Sequence, residues 1–229
     1  MNRIFPRALV PLLLLTLAVA AGCGAGATPA TPTSAPAKAT PQAPQTQSSQ
    51  GGNPVAKQYG APPQMAIDAN KSYTATLHTT KGDIQVELFP KDVPNTVNSF
   101  VFLAKDGFYD NVRFHRIIKG FMVQTGDPKG DGTGGPGYRL KDEPVTRKYD
   151  RGIVAMANSG PNTSGSQFFI MHSNYGLPPS YTIFGQVTDR KSLDVLDAIA
   201  TSPVATSRGG ENSAPTEDIR ITSVDVAEK

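Results

Sequence analysis

The stretch "RFHRIIKGFMVQTGD", residues 113–127, decides how the rest of the chain is read. It has the pattern of a strand, a one-glycine break at Gly120 and a second strand. Phe114, Ile117, Ile118, Phe121, Met122 and Val123 suit a half-buried sheet. Arg116 and Gln124 interrupt that apolar material with two long polar side chains. Burying an unpartnered arginine is costly. The fold therefore either leaves both residues on a wet face or holds a guanidinium over an apolar hollow for a purpose.

Working outward, "YTATLHT" and "GDIQVELF" alternate like strands around a Lys81-Gly82 turn and predict a hairpin. "DVPNTVNSFVFLAKDGFY" predicts a helix. Pro94 suits its first turn, Val93, Val97, Phe100, Val101 and Ala104 form an apolar stripe, and Gly107 ends it. "RGIVAMAN", "SQFFIMH" and "YTIFGQV" predict three short strands, "DRKSLDVLDAIA" a second helix and "DIRITSVDV" a closing strand. No internal repeat is present. The expected fold is mainly β, an eight-stranded antiparallel closed barrel capped by two α-helices.

The N-terminal part has another character. Residues 1–22 combine two arginines, a short apolar run and small residues, as an export signal does. The run is shorter than the roughly 20 apolar residues a membrane-spanning helix needs. "AAGC" resembles a bacterial lipobox, which predicts that Cys23 is lipidated and anchors the chain to the cell membrane with its domain outside the cytoplasm. Cys23 is the only cysteine, so no disulfide or thiolate metal site can form within one chain. Residues 23–64 are rich in Pro, Ala, Thr and Gln and predict a disordered linker, leaving 65–229 as the folded domain.

Several chemistries are excluded. The net charge of +3 is scattered along the 229 residues, which argues against nucleic-acid binding. His78, His115 and His172 lack metal-ligand spacing. "DPKGDG" has Lys129 and Tyr138 where a calcium loop needs oxygen ligands. "GDGTGGPG" lacks the ending of a phosphate loop, and no G-x-S-x-G elbow exists. No metal and no cofactor is expected, and nothing calls for more than a monomer.

Two motifs in order, "FHRIIKGFMVQTGD" and "MANSGPNTSGSQFFI", resemble the cyclophilin family of peptidyl-prolyl cis-trans isomerases, with the glycine-rich "GDGTGGPGY" between them. The resemblance runs from about Thr74 to Val226. Lys119 stands where the family signature has proline, and Thr125 where it has glycine. The resemblance implies rotation about X-Pro bonds in exported polypeptides. It makes Arg116 the catalytic arginine, with Gln124 beside it. Phe121, Met122 and Phe169 become the proline pocket, with Leu177 and Tyr181 at its edge. Gln124, Ala157, Asn158 and Gln167 would hold the peptide, and Gly132 would border the groove. Gly176 and Leu177 fall where eukaryotic members carry tryptophan and leucine, and Tyr181 where they carry histidine; the missing indole implies weak cyclosporin binding. The alternative is a membrane-tethered module that binds proline peptides without turnover.

The residue types suit the reaction on physical grounds. Twisting an X-Pro bond makes and breaks nothing covalent, so no nucleophile, general base or metal is required. The barrier comes from the partial double bond. A permanently charged donor beside the prolyl nitrogen favours the twisted amide over either planar form.

Overall fold

In the computed structural model, which describes residues 57–229, the opening stretch forms two strands joined by a tight turn. The elements in chain order are β1 (Tyr73–Thr79), β2 (Gly82–Leu88), α1 (Pro94–Lys105), β3 (Val112–Arg113), β4 (Arg116–Ile118), β5 (Met122–Thr125), β6 (Ile153–Met156), β7 (Phe168–Met171), β8 (Ile183–Val187), α2 (Arg190–Ala200), β9 (Val204–Thr206), β10 (Asn212–Pro215) and β11 (Arg220–Glu228). The signal segment and Cys23 lie outside the described residues.

One strongly curled antiparallel sheet has the order β3-β11-β1-β2-β8-β6-β7-β5-β4. Its two edge strands are halves of one run of chain, 112–118. The first half pairs with β11 and the second with β5. Between them, Phe114 N–H donates to Ile219 O (2.9 Å) and His115 N–H to Gln124 O (3.1 Å), so the run changes partner midway. Counted as one strand, it gives the expected eight. Phe114 and His115 lie between the two paired halves.

Strand alternation sorts the side chains onto two faces. Ile117, Val123, Val154, Met156, Phe168 and Ile170 enter the main core with Val97, Phe100 and Leu103 of α1 and Leu196 and Ile199 of α2. Met122, Ile153, Ala155, Phe169, Met171 and Ile183 form a second, smaller apolar cluster. Met156 and Phe168 are thus plain core, opposite Ala157 and Phe169 in the second cluster.

Pro94 opens α1, but the N-cap residue Val93 offers no side-chain acceptor. Glu143 caps the helix from a distance, accepting from Asn95 N–H (3.0 Å) and Thr96 N–H (2.7 Å). This satisfies donors that a helix start leaves orphaned. The second helix has a local cap, Asp189, which accepts from Ser192 N–H.

Two features were not foreseen. The folded part begins by Lys57, ahead of the boundary expected at Met65. Tyr59 N–H donates to Pro136 O (2.8 Å), its ring meets Phe102 edge-on at 5.1 Å, and its hydroxyl donates to Asp106 (2.7 Å). Composition averages away one aromatic among polar neighbours, although that ring is enough to dock the segment. In addition, β9 and β10 pair as a separate two-stranded sheet. Neither shows the apolar alternation by which strands are recognised.

Candidate active site

Register builds the site. Arg116 pairs with Gln124, Gln124 with Phe169, and Phe169 with Ala155, one row across four strands. Residues directly opposite each other share a face. The adjacent row on that face is Ile118, Met122 and Met171. Period-2 alternation on each strand therefore puts the two polar residues of the opening stretch on the second apolar cluster rather than in the main core.

The guanidinium of Arg116 lies along that cluster. Its Nη1 is 3.8 Å from Met122 Sδ and 3.4 Å from Gln124 Oε1, and its Cζ is 6.0 Å from the centre of the Phe121 ring. One third of the side chain is exposed, so the group is anchored but reachable. Met122 and Phe169 are buried, while Phe121, Leu177, Tyr181 and Ala157 are half-buried around them. Tyr181 meets Phe169 edge-on at 5.5 Å. These side chains form an apolar cup with a cationic rim.

A polar relay runs from the rim. Gln124 Nε2 donates to Gln167 Oε1 (3.0 Å), and Gln167 Nε2 donates to Gly132 O (3.1 Å) and Gly134 O (2.9 Å). The 128–135 loop is wrapped round the fully buried Asp127, whose carboxylate accepts from Lys129, Asp131 and Gly132 N–H. A side chain at Gly134 would put its Cβ 2.0 Å from Asp127 Oδ1, so this close approach requires glycine. The sequence that fails as a calcium loop is instead one organised by its own aspartate.

Beside the cup, Gln124, Gly132, Ala157, Asn158 and Gln167 line an open groove of about 950 Å³. All the candidate site residues of the domain thus fall in two adjoining sets, cup and groove, which share Ala157, with Arg116 bonded to Gln124 of the groove. Asn158 uses its side chain internally: Nδ2 donates to Ser180 O (2.7 Å) and Oδ1 accepts from Gly160 N–H (3.2 Å). Both ends of its amide are thus taken up in shaping the rim.

Three neighbours went unseen in the sequence. Glu211, ahead of β10, grips Arg116. Tyr175, an exposed aromatic, packs on Phe121 with ring centres 4.6 Å apart. Gln58 lines the groove and donates to Gly135 O (2.8 Å). Each sits in an irregular segment with no periodicity, where nothing local marks a residue as part of a site.

The comparisons with known proteins agree with this geometry. The model of the cyclophilin type peptidyl-prolyl cis-trans isomerase/CLD family matches residues 74–226. The probable peptidyl-prolyl cis-trans isomerase A of Mycobacterium leprae is 46% identical over 172 residues, 67% of this chain and 92% of that protein. Peptidyl-prolyl cis-trans isomerase B of Streptomyces anulatus is 43% identical over 171 residues, 66% of this chain and 94% of that protein. Among solved structures, a Cryptosporidium parvum cyclophilin type isomerase determined in the presence of the dipeptide Ala-Pro has a TM-score of 0.62 at 35% identity, covering 68% of this chain and 99% of its own. A guanidinium beside an apolar cup, held on the sheet by the two long motifs within the matched span, is what this chain has because it belongs to the cyclophilin-type peptidyl-prolyl cis-trans isomerases.

Proposed function

We propose that Arg116 is the group through which this isomerase lowers the torsional barrier, and that the domain works outside the cytoplasm, tethered by a lipidated Cys23. The observation that carries the first part is the guanidinium poised between the apolar cup and Gln124. The substrate proline ring seats among Phe121, Met122 and Phe169, with Leu177 and Tyr181 at the edge. The ring is held while the preceding carbonyl turns. In the twisted amide the prolyl nitrogen loses resonance and gains a lone pair, which an Nη1–H of Arg116 stabilises. Because planar forms offer no such lone pair, the bond favours the transition state. The cup thins out water and strengthens that interaction. A rate factor of about 10⁵ needs roughly 7 kcal/mol, within reach of one charged hydrogen bond combined with orientation and desolvation.

Gln124 and Gln167, braced by the glycine loop, hold the peptide in the groove together with the backbone at Ala157 and Asn158. Proline-containing segments of exported proteins fit this arrangement. The exposed Gly176 leaves the cup without an indole wall, which supports weak cyclosporin binding.

A protease-coupled assay on a short X-Pro peptide at low temperature tests the mechanism. Wild type should isomerise well above buffer, and Arg116→Ala should lose about 10²–10³ in kcat/KM. An undiminished Arg116→Ala rate would remove the arginine from the chemistry; wild type no faster than buffer would leave a proline-peptide binder. Two acyl chains hold a protein at a bilayer where one does so only marginally. Cys23→Ala should therefore move the protein from the membrane to the soluble fraction, and retention would sink the lipid anchor.

A further inference from the structure

We propose that Glu211 is a positioning residue for the isomerase reaction, which sets the Arg116 fork before substrate arrives. The inference rests on Arg116 acting as the donor to the prolyl nitrogen.

The grip is side-on and bidentate. Arg116 Nε donates to Glu211 Oε2 at 2.6 Å, and Nη2 donates to Oε1 at 2.8 Å. Paired, parallel bonds of this kind fix both the place and the plane of a guanidinium. They take the edge that faces away from the cup. The Nη1 amino group is left on the other edge, beside Gln124 Oε1 and Met122 Sδ. A side-on pair therefore turns one particular pair of N–H bonds toward the bound imide.

The residue that carries the carboxylate is itself held. Glu211 ends the connection between β9 and β10: its carbonyl accepts from Ser207 N–H (2.7 Å), and Gly210 N–H donates to Ser207 O (2.9 Å). At the hairpin base Thr216 N–H donates to Pro203 O (3.0 Å). Ser213, one residue into β10 from Asn212, is buried and anchors the strand beside β4. The Arg116 guanidinium, with help from the Ser213 hydroxyl, holds the Glu211 carboxyl down to about 2. The carboxyl is thus held ionised below the ordinary carboxylate range.

An arginine on an edge strand otherwise samples many rotamers, and freezing it during the reaction would raise the barrier. A carboxylate clamp removes that loss in advance. It also draws positive charge away from the donor. The gain from orientation outweighs that draw, so Glu211 speeds the reaction.

The test uses the full chain and a short X-Pro peptide, with kcat and KM resolved. Glu211→Ala should lower kcat about tenfold with KM within about twofold of wild type. Glu211→Gln, which keeps an acceptor, should lose less. In an Arg116→Ala background, Glu211→Ala should cause no further loss, because a positioning residue has nothing left to position. Melting temperatures of Glu211→Gln and wild type should agree while their kcat values differ. Glu211→Ala as fast as wild type or faster, a change in KM alone, or the same fold-loss with and without Arg116 would each overturn the proposal. Wild type no faster than buffer would instead overturn the reading of Arg116 on which it rests.

Discussion

Lys119 occupies the second position of the turn between β4 and β5, where Phe121 N–H donates to Ile118 O (3.0 Å) and Gly120 takes φ +81°. Such a turn needs a left-handed third residue, and its second position favours proline. The family signature has proline there; this chain carries an exposed lysine instead. Proline would restrict the unfolded chain more than the folded one. Lys119→Pro is expected to stabilise the protein by about 0.4–1 kcal/mol, a rise of about 1–4 °C in melting temperature, with kcat preserved. A lower melting temperature would show that the Lys119 backbone lies outside the range proline permits. At the same scale, the paired Arg116 and Gln124 answer the question the opening stretch poses: the two polar residues are neighbours on the face that carries the cup.

Among the elements, α1 shows how a distant residue finishes a local structure. Its stripe, its Pro94 start and its Gly107 stop are all readable along the chain, and the helix runs Pro94–Lys105 as that pattern implies. Its cap is not readable, since Glu143 comes from 47 residues away. Losing a cap costs about 0.5–2 kcal/mol. Because Glu143 serves two backbone donors and the Thr96 hydroxyl, Glu143→Ala should sit at the upper end. Thermal melts should show a fall of about 4–8 °C, with isomerase activity unchanged at low temperature. An unshifted melt would mean that water replaces the carboxylate without loss.

Across the molecule, the three histidines pull stability in opposite directions with pH. Both ring nitrogens of His115 are buried without a partner, and burial lowers its pKa from 6.5. His172 is lowered too, by burial first and then by Arg151 and Lys119, against the opposing pull of Asp197. Its Nδ1 accepts from Gly120 N–H (2.9 Å), so the neutral ring braces the turn that presents Phe121. For both, the unfolded chain binds the proton more readily; their stability is present above 6.5 and is lost as pH falls through the folded values. His78 is raised, held between Asp83 (2.9 Å) and Asp225 (3.1 Å) across β2, β1 and β11. Its contribution is present below 6.5 and fades as pH rises through its folded value. Denaturant unfolding at stepped pH should therefore show stability falling from about pH 6.5 toward 5. His172→Asn should flatten that fall, whereas His78→Asn should leave it in place and instead remove the stability gained as pH comes down toward 6.5 from above. A curve that rises on acidification below 6.5 would contradict this assignment.

The family, most strands, both helices and most residues of cup and groove are legible along the chain. Those features are periodic or lie in two long motifs, and alternation assigns a face to each strand residue without reference to the rest of the chain. Folding in three dimensions is what splits the 112–118 run between two partners, docks Tyr59 ahead of the expected boundary, brings Glu143 to the start of α1 and sets Glu211 on Arg116. The last three each depend on one side chain from an irregular segment meeting a site far away in the chain. Such a meeting is set by the path of the backbone in space, and a polar residue in a loop carries no periodic mark of the partner it will find.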